Sequence, residues 1–353
     1  MGTEWARTRC RERLDALADS GCNLDELRLE AIAALRRAIG FDRWCALLVD
    51  PDSLLANRGI GENDWAKELP RINVHDAGSD DVNNLRVLAR SRDPVGGLRA
   101  ATAGDLARSS RWREIFAPYG VGDELRAAVV DEYGCWGDFH VWRSSDDRAF
   151  DADDAQLMRD GSRLLARALR RAAVAPTAPK RTAPADSGVL LLDDHLRQCG
   201  ATGSARAWFA ALNPADMPYP EGIPNVVWSA VGRLLANDGA EMPAAPVQVR
   251  VRAGDGSWAM VEAARLEIGN GIAVTLRRAL PSEILGLVTR AYGLSARERE
   301  VLGLLIEGLA TREVAQRARI SHYTVQDHLK SVFEKVGVRS RHELITDLFA
   351  QAA

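Results

Sequence analysis

Gln326, Asp327 and Lys330 stand within the stretch SHYTVQDHLKSVFEKVG, residues 321–337. Val325, Leu329, Phe333 and Val336 recur there at spacings of four, four and three, so they share one buried stripe of a helix. The opposite face presents Tyr323, Gln326, Asp327, Lys330 and Glu334. Those side chains offer what base edges in a DNA groove can pair with. Lys330 can donate to guanine O6 and N7, Gln326 can both donate to and accept from adenine, and Asp327 can accept from cytosine N4. Asp327 is the least expected, because a carboxylate near phosphates is otherwise unfavourable.

Such a face needs a small helical frame, and start and stop signals place four segments in residues 294–353. The first opens at Ser295 with Glu298 in a capping box, carries Val301, Leu302, Leu304 and Leu305, and stops at Gly308. The second is expected to be capped by Thr311, with Glu313 in its first turn, and buries Val314, Ala315 and Ala318. The third runs from its cap Ser321 to Gly337, and the fourth opens with a second box, Ser340 and Glu343. Each cap contributes about 1 kcal/mol. Two short helices with a tight turn, the second bearing polar residues, form a helix-turn-helix.

The same stretch resembles the LuxR-type (NarL-like) DNA-binding domains. The positions that carry the likeness are Leu294, Ser295, Arg297, Glu298, Gly308, Val314, Ala315, Ser321, Thr324, Val325, His328, Lys335, Gly337, Val338, Ser340 and Arg341. The resemblance covers about the last sixth of the chain. It implies that the third helix enters the major groove of double-stranded DNA, with Gln326, Asp327 and Lys330 at bases. Thr311, Ser321, His322, Thr324, Lys335 and Arg341 are then the remaining DNA-binding candidates, touching phosphates or capping helices. For Lys335 and Arg341 an ordinary solvated surface is the plain alternative. Glu298 and His328 are expected to hold the helices together. One module touches few base pairs, so a homodimer on repeated half-sites is expected.

The whole chain has 353 residues, 46% apolar and 27% charged, with net charge −3. Residues 294–353 hold nine Lys and Arg against eight Asp and Glu, a net of +1, so one copy should bind DNA modestly and in a salt-sensitive way. No apolar run is long enough for a membrane span, and the first residues are charged, so a cytoplasmic protein without a secretory signal is expected. Cys10, Cys22, Cys45, Cys135 and Cys199 are dispersed and form no metal-ligand spacing, which points to reduced thiols.

Upstream, the pattern implies a multidomain α+β chain: two α+β sensory units ahead of the all-α four-helix end. Residues 24–39 read as an amphipathic helix and Trp44 to Val49 as a buried strand. Asp123 to Asp131 and Cys135 to Arg143 read as paired strands, and Asp153 to Ala173 as a long helix. Residues 1–173 thereby resemble a GAF-type sensory domain. Residues 174–187, with three prolines, form a linker. Residues 188–280 resemble a PAS domain: a strand at Val189 to Leu192, helices near 204–212 and 225–236, and strands at Val247 to Ala253, Trp258 to Ile268 and Ile272 to Arg277. Gly254-Asp255-Gly256-Ser257 and Gly269-Asn270-Gly271 mark the hairpins. Residues 281–293 form a bridging helix, with Ile284, Leu287, Val288 and Ala291 on one face, for packing or for coupling to the end domain.

Motifs for catalysis do not occur: no P-loop, no H-E-x-x-H, no G-x-S-x-G, and no receiver set around Asp50 and Asp52. No enzyme activity, cofactor or metal is expected, and His195 is read as an ordinary histidine, not a haem ligand. Homoserine-lactone-sensing relatives carry a Trp, Tyr, Asp, Trp set in their ligand pocket; Trp44, Trp65, Asp76 and Trp112 do not match its spacing. Trp112, Trp136 and Trp142 are read as core. The expected function is sequence-specific transcription regulation, controlled upstream by a partner or by a small-molecule ligand that the residues do not identify. The alternative is a signalling protein whose helix-turn-helix end contacts another protein.

Overall fold

The computed structural model describes residues 2–62, 64–78, 81–175, 182–213, 220–237, 247–267 and 271–349. Most of the proline-rich linker (176–181), Ile268 and the Gly269-Asn270 turn lie outside these residues.

The first unit opens with α1 (Gly2–Asp19) and α2 (Leu24–Ile39), followed by β1 (Arg43–Asp50) and β2 (Leu55–Glu62). Then come α3 (Leu69–Gly78), α4 (Leu85–Leu88), β3 (Val95–Gly97) and α5 (Leu98–Ala101). The long hairpin β4 (Val121–Asp131) and β5 (Gly134–Ser144) and the helix α6 (Ala152–Val174) complete it. Asn23 caps α2, and Asp151 with Asp154 forms a capping box on α6, so both helices begin where an oxygen meets orphan amides.

The second unit contains β6 (Gly188–Leu192), β7 (Gln198–Ala201), α7 (Gly203–Leu212), α8 (Asn225–Asn237), β8 (Val247–Arg252), β9 (Trp258–Arg265) and β10 (Ile272–Arg278). Each unit has a five-stranded antiparallel sheet, ordered β2-β1-β5-β4-β3 in the first and β7-β6-β10-β9-β8 in the second. Counted within its own unit, each sheet therefore has the same strand order.

The bridge α9 (Pro281–Ala291) leads into α10 (Ala296–Ile306), α11 (Thr311–Ala318), α12 (His322–Val336) and α13 (Arg341–Leu348). The multidomain α+β class expected from the residues is what the chain adopts. One buried apolar cluster runs from α1, α2 and α6 through Met260 and Val288 into Val301 and Val325. The end domain is thus continuous with the core of the first unit instead of hanging from it.

Three strands and one helix escape the sequence reading, β3 (Val95–Gly97) being only three residues long. β2 (LANRGIGE) and β7 (QCGA) are edge strands, half solvated, and so carry no apolar alternation. α1 is rich in arginine and buries only a narrow stripe, Cys10, Leu14 and Leu17. The strand expected from Trp258 to Ile268 ends at Arg265. The cysteines are all unpaired. Among the described residues no helix is long and apolar enough to cross a membrane.

The units lock together at two places. Gly232 of α8 lies so close to α3 that a Cβ there would stand 2.4 Å from the Asn73 carbonyl oxygen. Asn73 donates to Asn225 Oδ1 (3.0 Å) and accepts from Ser229 Oγ (2.7 Å). At the second place Arg250 of β8 forks onto Asp50 of β1 at 2.6 and 2.8 Å, with Asp52 beside it. Arg290 of α9 reaches the same Asp52, and Glu283 of α9 pairs with Arg277 of β10, so the bridge is fastened to both units.

Candidate nucleic-acid interface and a buried cavity

Ser321 caps α12, its Oγ accepting the Thr324 amide at 3.1 Å and pairing with Thr324 Oγ1 at 2.8 Å. Gly337, at φ 87°, ends the helix in the left-handed conformation that glycine adopts freely. Between them Val325, Leu329 and Val332 are buried, while Tyr323, Gln326, Asp327, Lys330 and Glu334 are exposed. Phe333 and Val336, expected on the buried stripe, are half-buried, and Val332 takes their place because the stripe drifts around the helix. His322 is exposed and meets the Tyr323 ring edge-on at 6.1 Å. Tyr323 is 78% exposed, a large aromatic with nothing folded over it among the described residues.

Two candidates for phosphate contact are instead tied inside the domain. Lys335 Nζ stands 2.7 and 2.9 Å from the Glu298 carboxylate and also donates to the Gly293 carbonyl. Arg341 donates to the Leu305 carbonyl at the end of α10. Thr311 is half-buried at the first position of α11; the cap is Ala310, whose amide donates to Glu313. The Thr311 cap is thus displaced by one residue, since alanine offers no oxygen and Glu313 alone satisfies the turn. In the fourth segment Ser340 Oγ accepts the Glu343 amide, but Glu343 reaches back to the amide of Arg339, not of Ser340. His328 is half-buried.

Glu298 joins three helical starts and faces: its carboxylate accepts from the Ser295 amide, Ser331 Oγ and Lys335. Burial works to raise its pKa, but the bonds from Lys335, Ser331 and Ser295 outweigh burial and hold it at about 2. Glu298, Glu313 and Glu343 are all turned onto backbone amides at helix starts. Arg312, Arg317, Arg319 and Lys330, by contrast, are exposed along α11, the turn and α12, with no ion pair among the described residues. A net charge of +1 therefore understates the cationic character of this side. Residue-by-residue reading missed the three arginines because they belong to no motif. Arg319 holds the turn at φ 55°, an unusual conformation for a side-chain-bearing residue.

A second feature lies in the first unit. Residues alternate across β4 and β5, so Leu125, Ala127, Phe139 and Val141 join the core against α1, α2 and α6. The other face carries Glu124, Arg126, Asp138, His140 and Trp142. That alternation reads in sequence as a solvated face, yet α3, the segment after it and α8 cover it. The result is a buried ionic network. Arg126 Nε and Nη2 donate to Asp138 at 3.0 and 2.6 Å, and Arg126 Nη1 to Asp76 at 3.1 Å. Arg111 bridges Asp76 (2.8 Å) and Glu124 (2.6 Å). His140 Nδ1 meets Glu124 at 3.0 Å, and its Nε2 stands 3.0 Å from Asp138, off the line of a good hydrogen bond. Burial alone would lower the His140 pKa and raise that of Asp76; the facing charges reverse both shifts.

Against this network lies a cavity with about 70 Å³ open to the centre of a water molecule. Its walls include Leu47, Leu55, Leu69 and Ile72, with an aromatic face of Trp65, Phe116 and Trp142. Trp65 packs 5.1 Å from Phe116 and 4.9 Å from Trp142, ring centre to ring centre. Asn225 and Ser229 of α8 close the far side, so the second unit contributes to the wall. Trp65 and Asp76, set aside on spacing, both line this cavity, and Trp142, read as core, does so too. Trp136 is core as expected, Trp44 is buried in the cluster on the other side of the sheet, and Trp112 donates to the Val121 carbonyl. His195 is exposed. Among the described residues no group of His, Cys, Asp and Glu could hold a metal ion.

The sheet also connects cavity and end domain. The β4–β5 turn carries Tyr133, whose hydroxyl would stand 2.8 Å from a Cβ at Gly293. Arg170 of α6 stacks on the Tyr133 ring at 4.2 Å, pairs with Asp131 and donates to the Ala291 carbonyl.

Residues 293–347 match the model of the luxR family of bacterial regulatory proteins, GerE. The spore germination protein GerE of Bacillus subtilis is 38% identical over 55 residues, which are 16% of this chain and 74% of that protein. The transcriptional regulatory protein DesR of Bacillus subtilis is 31% identical over 102 residues, 28% of this chain and 51% of its own length. The monoamine regulon transcriptional regulator of Klebsiella aerogenes is 38% identical over 60 residues, 17% of this chain and 26% of its own. The chain thus spans about half of DesR and a quarter of the Klebsiella protein. The crystal structure of Escherichia coli SdiA aligns over 99% of this chain and 97% of its own at 11% identity and a TM-score of 0.34, too remote to argue from. Through its C-terminal helices, the chain belongs to the luxR family of bacterial regulatory proteins.

Proposed function

We propose that the protein is a cytoplasmic, sequence-specific transcription regulator that binds double-stranded DNA as a homodimer. Residues 1–173 and 188–280 are its sensory units, joined by the 174–187 linker and coupled through the 281–293 helix. The end domain, 294–353, reads the major groove through Gln326, Asp327 and Lys330. His322, Ser321, Thr324 and Thr311 lie along the same approach, while Lys335 and Arg341 serve chiefly as internal ties. The observation that carries this reading is the open outer face of α12, flanked by Arg312, Arg317, Arg319 and Lys330, which are exposed and have no ion pair among the described residues. Its input is a small ligand in the cavity of the first unit, which the second unit helps to wall. No enzymatic step belongs to this reading.

The test is selection of genomic fragments by the full chain, followed by titration at several salt concentrations. Affinity should fall steeply with salt, and Lys330→Ala should cost about 1–3 kcal/mol on the selected operator with the fold intact. Binding that ignores both salt and Lys330→Ala sinks the proposal. The carboxylate of Asp327, exposed on the same face, favours a second reading, in which α12 docks on a protein. A protein-binding signal with no DNA retention would select it.

A further inference from the structure

The cavity wall is unevenly charged. Asp76 and Asp138 are already engaged by Arg111 and Arg126, and Glu124, behind the wall, is shared by Arg111 and His140. Arg86 also lines the cavity, half-buried at the start of α4. Among the described residues its side chain has no hydrogen bond and no ion pair, and its near charged neighbour is another cation, Arg90. Burial, and then Arg90, push its pKa below the ordinary arginine value, as expected for a cation that lacks its counter-charge. The wall also carries an aromatic cluster, Trp65, Phe116 and Trp142, whose rings meet tilted or edge to face.

We infer that the cavity takes a small aromatic monocarboxylate, its ring against Trp65, Phe116 and Trp142 and its carboxylate on the Arg86 guanidinium. This rests on the reading of the cavity as a ligand site. A ligand that offers mainly N–H donors would have to displace arginines from Asp76 or Asp138, whereas a carboxylate supplies the acceptor that Arg86 lacks. A cationic ligand would meet Arg86 without a partner and is disfavoured. With about 70 Å³ open to the centre of a water molecule, the cavity has room for a small ligand. Closure by Asn225 and Ser229 means that the occupant touches both sensory units at once.

Benzoate and its neutral isostere benzamide test this on the full chain, by saturation-transfer NMR and by the fluorescence of the cavity tryptophans. Benzoate should bind about tenfold more tightly than benzamide. Arg86→Ala, checked for an unchanged melting profile, should abolish that preference by weakening benzoate alone, and Arg86→Lys should restore part of it. Equal binding of the pair, or benzoate affinity unchanged in Arg86→Ala, overturns the carboxylate assignment and leaves the cavity a ligand site. Absence of saturation transfer from both compounds overturns the assignment together with the ligand-site reading.

Discussion

Lys335 of α12 holds the Glu298 carboxylate at 2.7 and 2.9 Å, which ties α12 to the first helix of its own domain. Lys335 thereby adds rigidity, and the frame that presents Gln326 and Lys330 gains a buried carboxylate bonded to Ser295, Ser331 and Lys335.

The end domain should therefore lose stability in acid at a definite place. The Glu298 pKa is depressed from 4.5 to about 2, so its contribution is complete above 4.5 and is lost as pH falls from 4.5 toward 2. Glu298→Gln should cost about 2 kcal/mol at neutral pH and flatten the thermal-unfolding profile of the end domain across that interval. An unchanged acid limb in the variant would show that Glu298 is not the titrating group.

Arg317 and Arg319 are exposed beside the turn that precedes α12 and have no ion-pair partner among the described residues. Replacing either by Ala should weaken binding to every DNA sequence alike and lower the slope of log K against log salt by about 1. Lys335→Ala should instead lower the melting temperature and leave that slope nearly unchanged. Fluorescence anisotropy at several salt concentrations separates the two behaviours.

Arg250 and Asp50 form a buried bidentate pair between the two sheets. Removing the arginine leaves the Asp50 carboxylate without its counter-charge, at a cost of about 3–5 kcal/mol. Arg250→Ala should accordingly loosen the joint between the units, which limited proteolysis and a separate unfolding transition would reveal. Joint replacement of both residues by apolar ones should recover much of the loss.

Gly293 has φ 62° and faces the Tyr133 hydroxyl with no room for a side chain. Gly293→Ala should cost about 1–2 kcal/mol from the backbone alone, and more from the displaced tyrosine. Hydrogen exchange should accelerate along α9 and α10. Adding Tyr133→Ala should relieve the contact but not the backbone strain, so rescue should be partial.

The end domain was legible because its signals are local. Ser295, Ser321 and Ser340 accept amides three residues on, Gly337 closes its helix, and the spacing of Val325 and Leu329 sets the buried side of α12. The long hairpin was equally legible from its length and turn. The cavity was not. Glu124, Arg126, Asp138 and His140 alternate with apolar residues as the solvated face of an antiparallel strand would, and nothing near them in the chain announces a cover. That cover comes from α3 and from α8, the latter about a hundred residues downstream, through Asn225 and Ser229. Edge strands β2 and β7 failed for a related reason: backbone pairing on one side holds them, and it leaves no apolar period.

By itself the sequence determined the helical end, its outward polar face and the existence of two α+β units, because capping, turn chemistry and periodicity act over a few residues. Only the tertiary structure decided that Lys335 serves Glu298 and that Arg86 lines a cavity whose acids, Asp76 and Asp138, are engaged by Arg111 and Arg126. It alone decided, too, that α8 of one unit walls the site of the other. Those outcomes depend on which charges are buried together, and burial of a charge is settled by elements far apart in the chain.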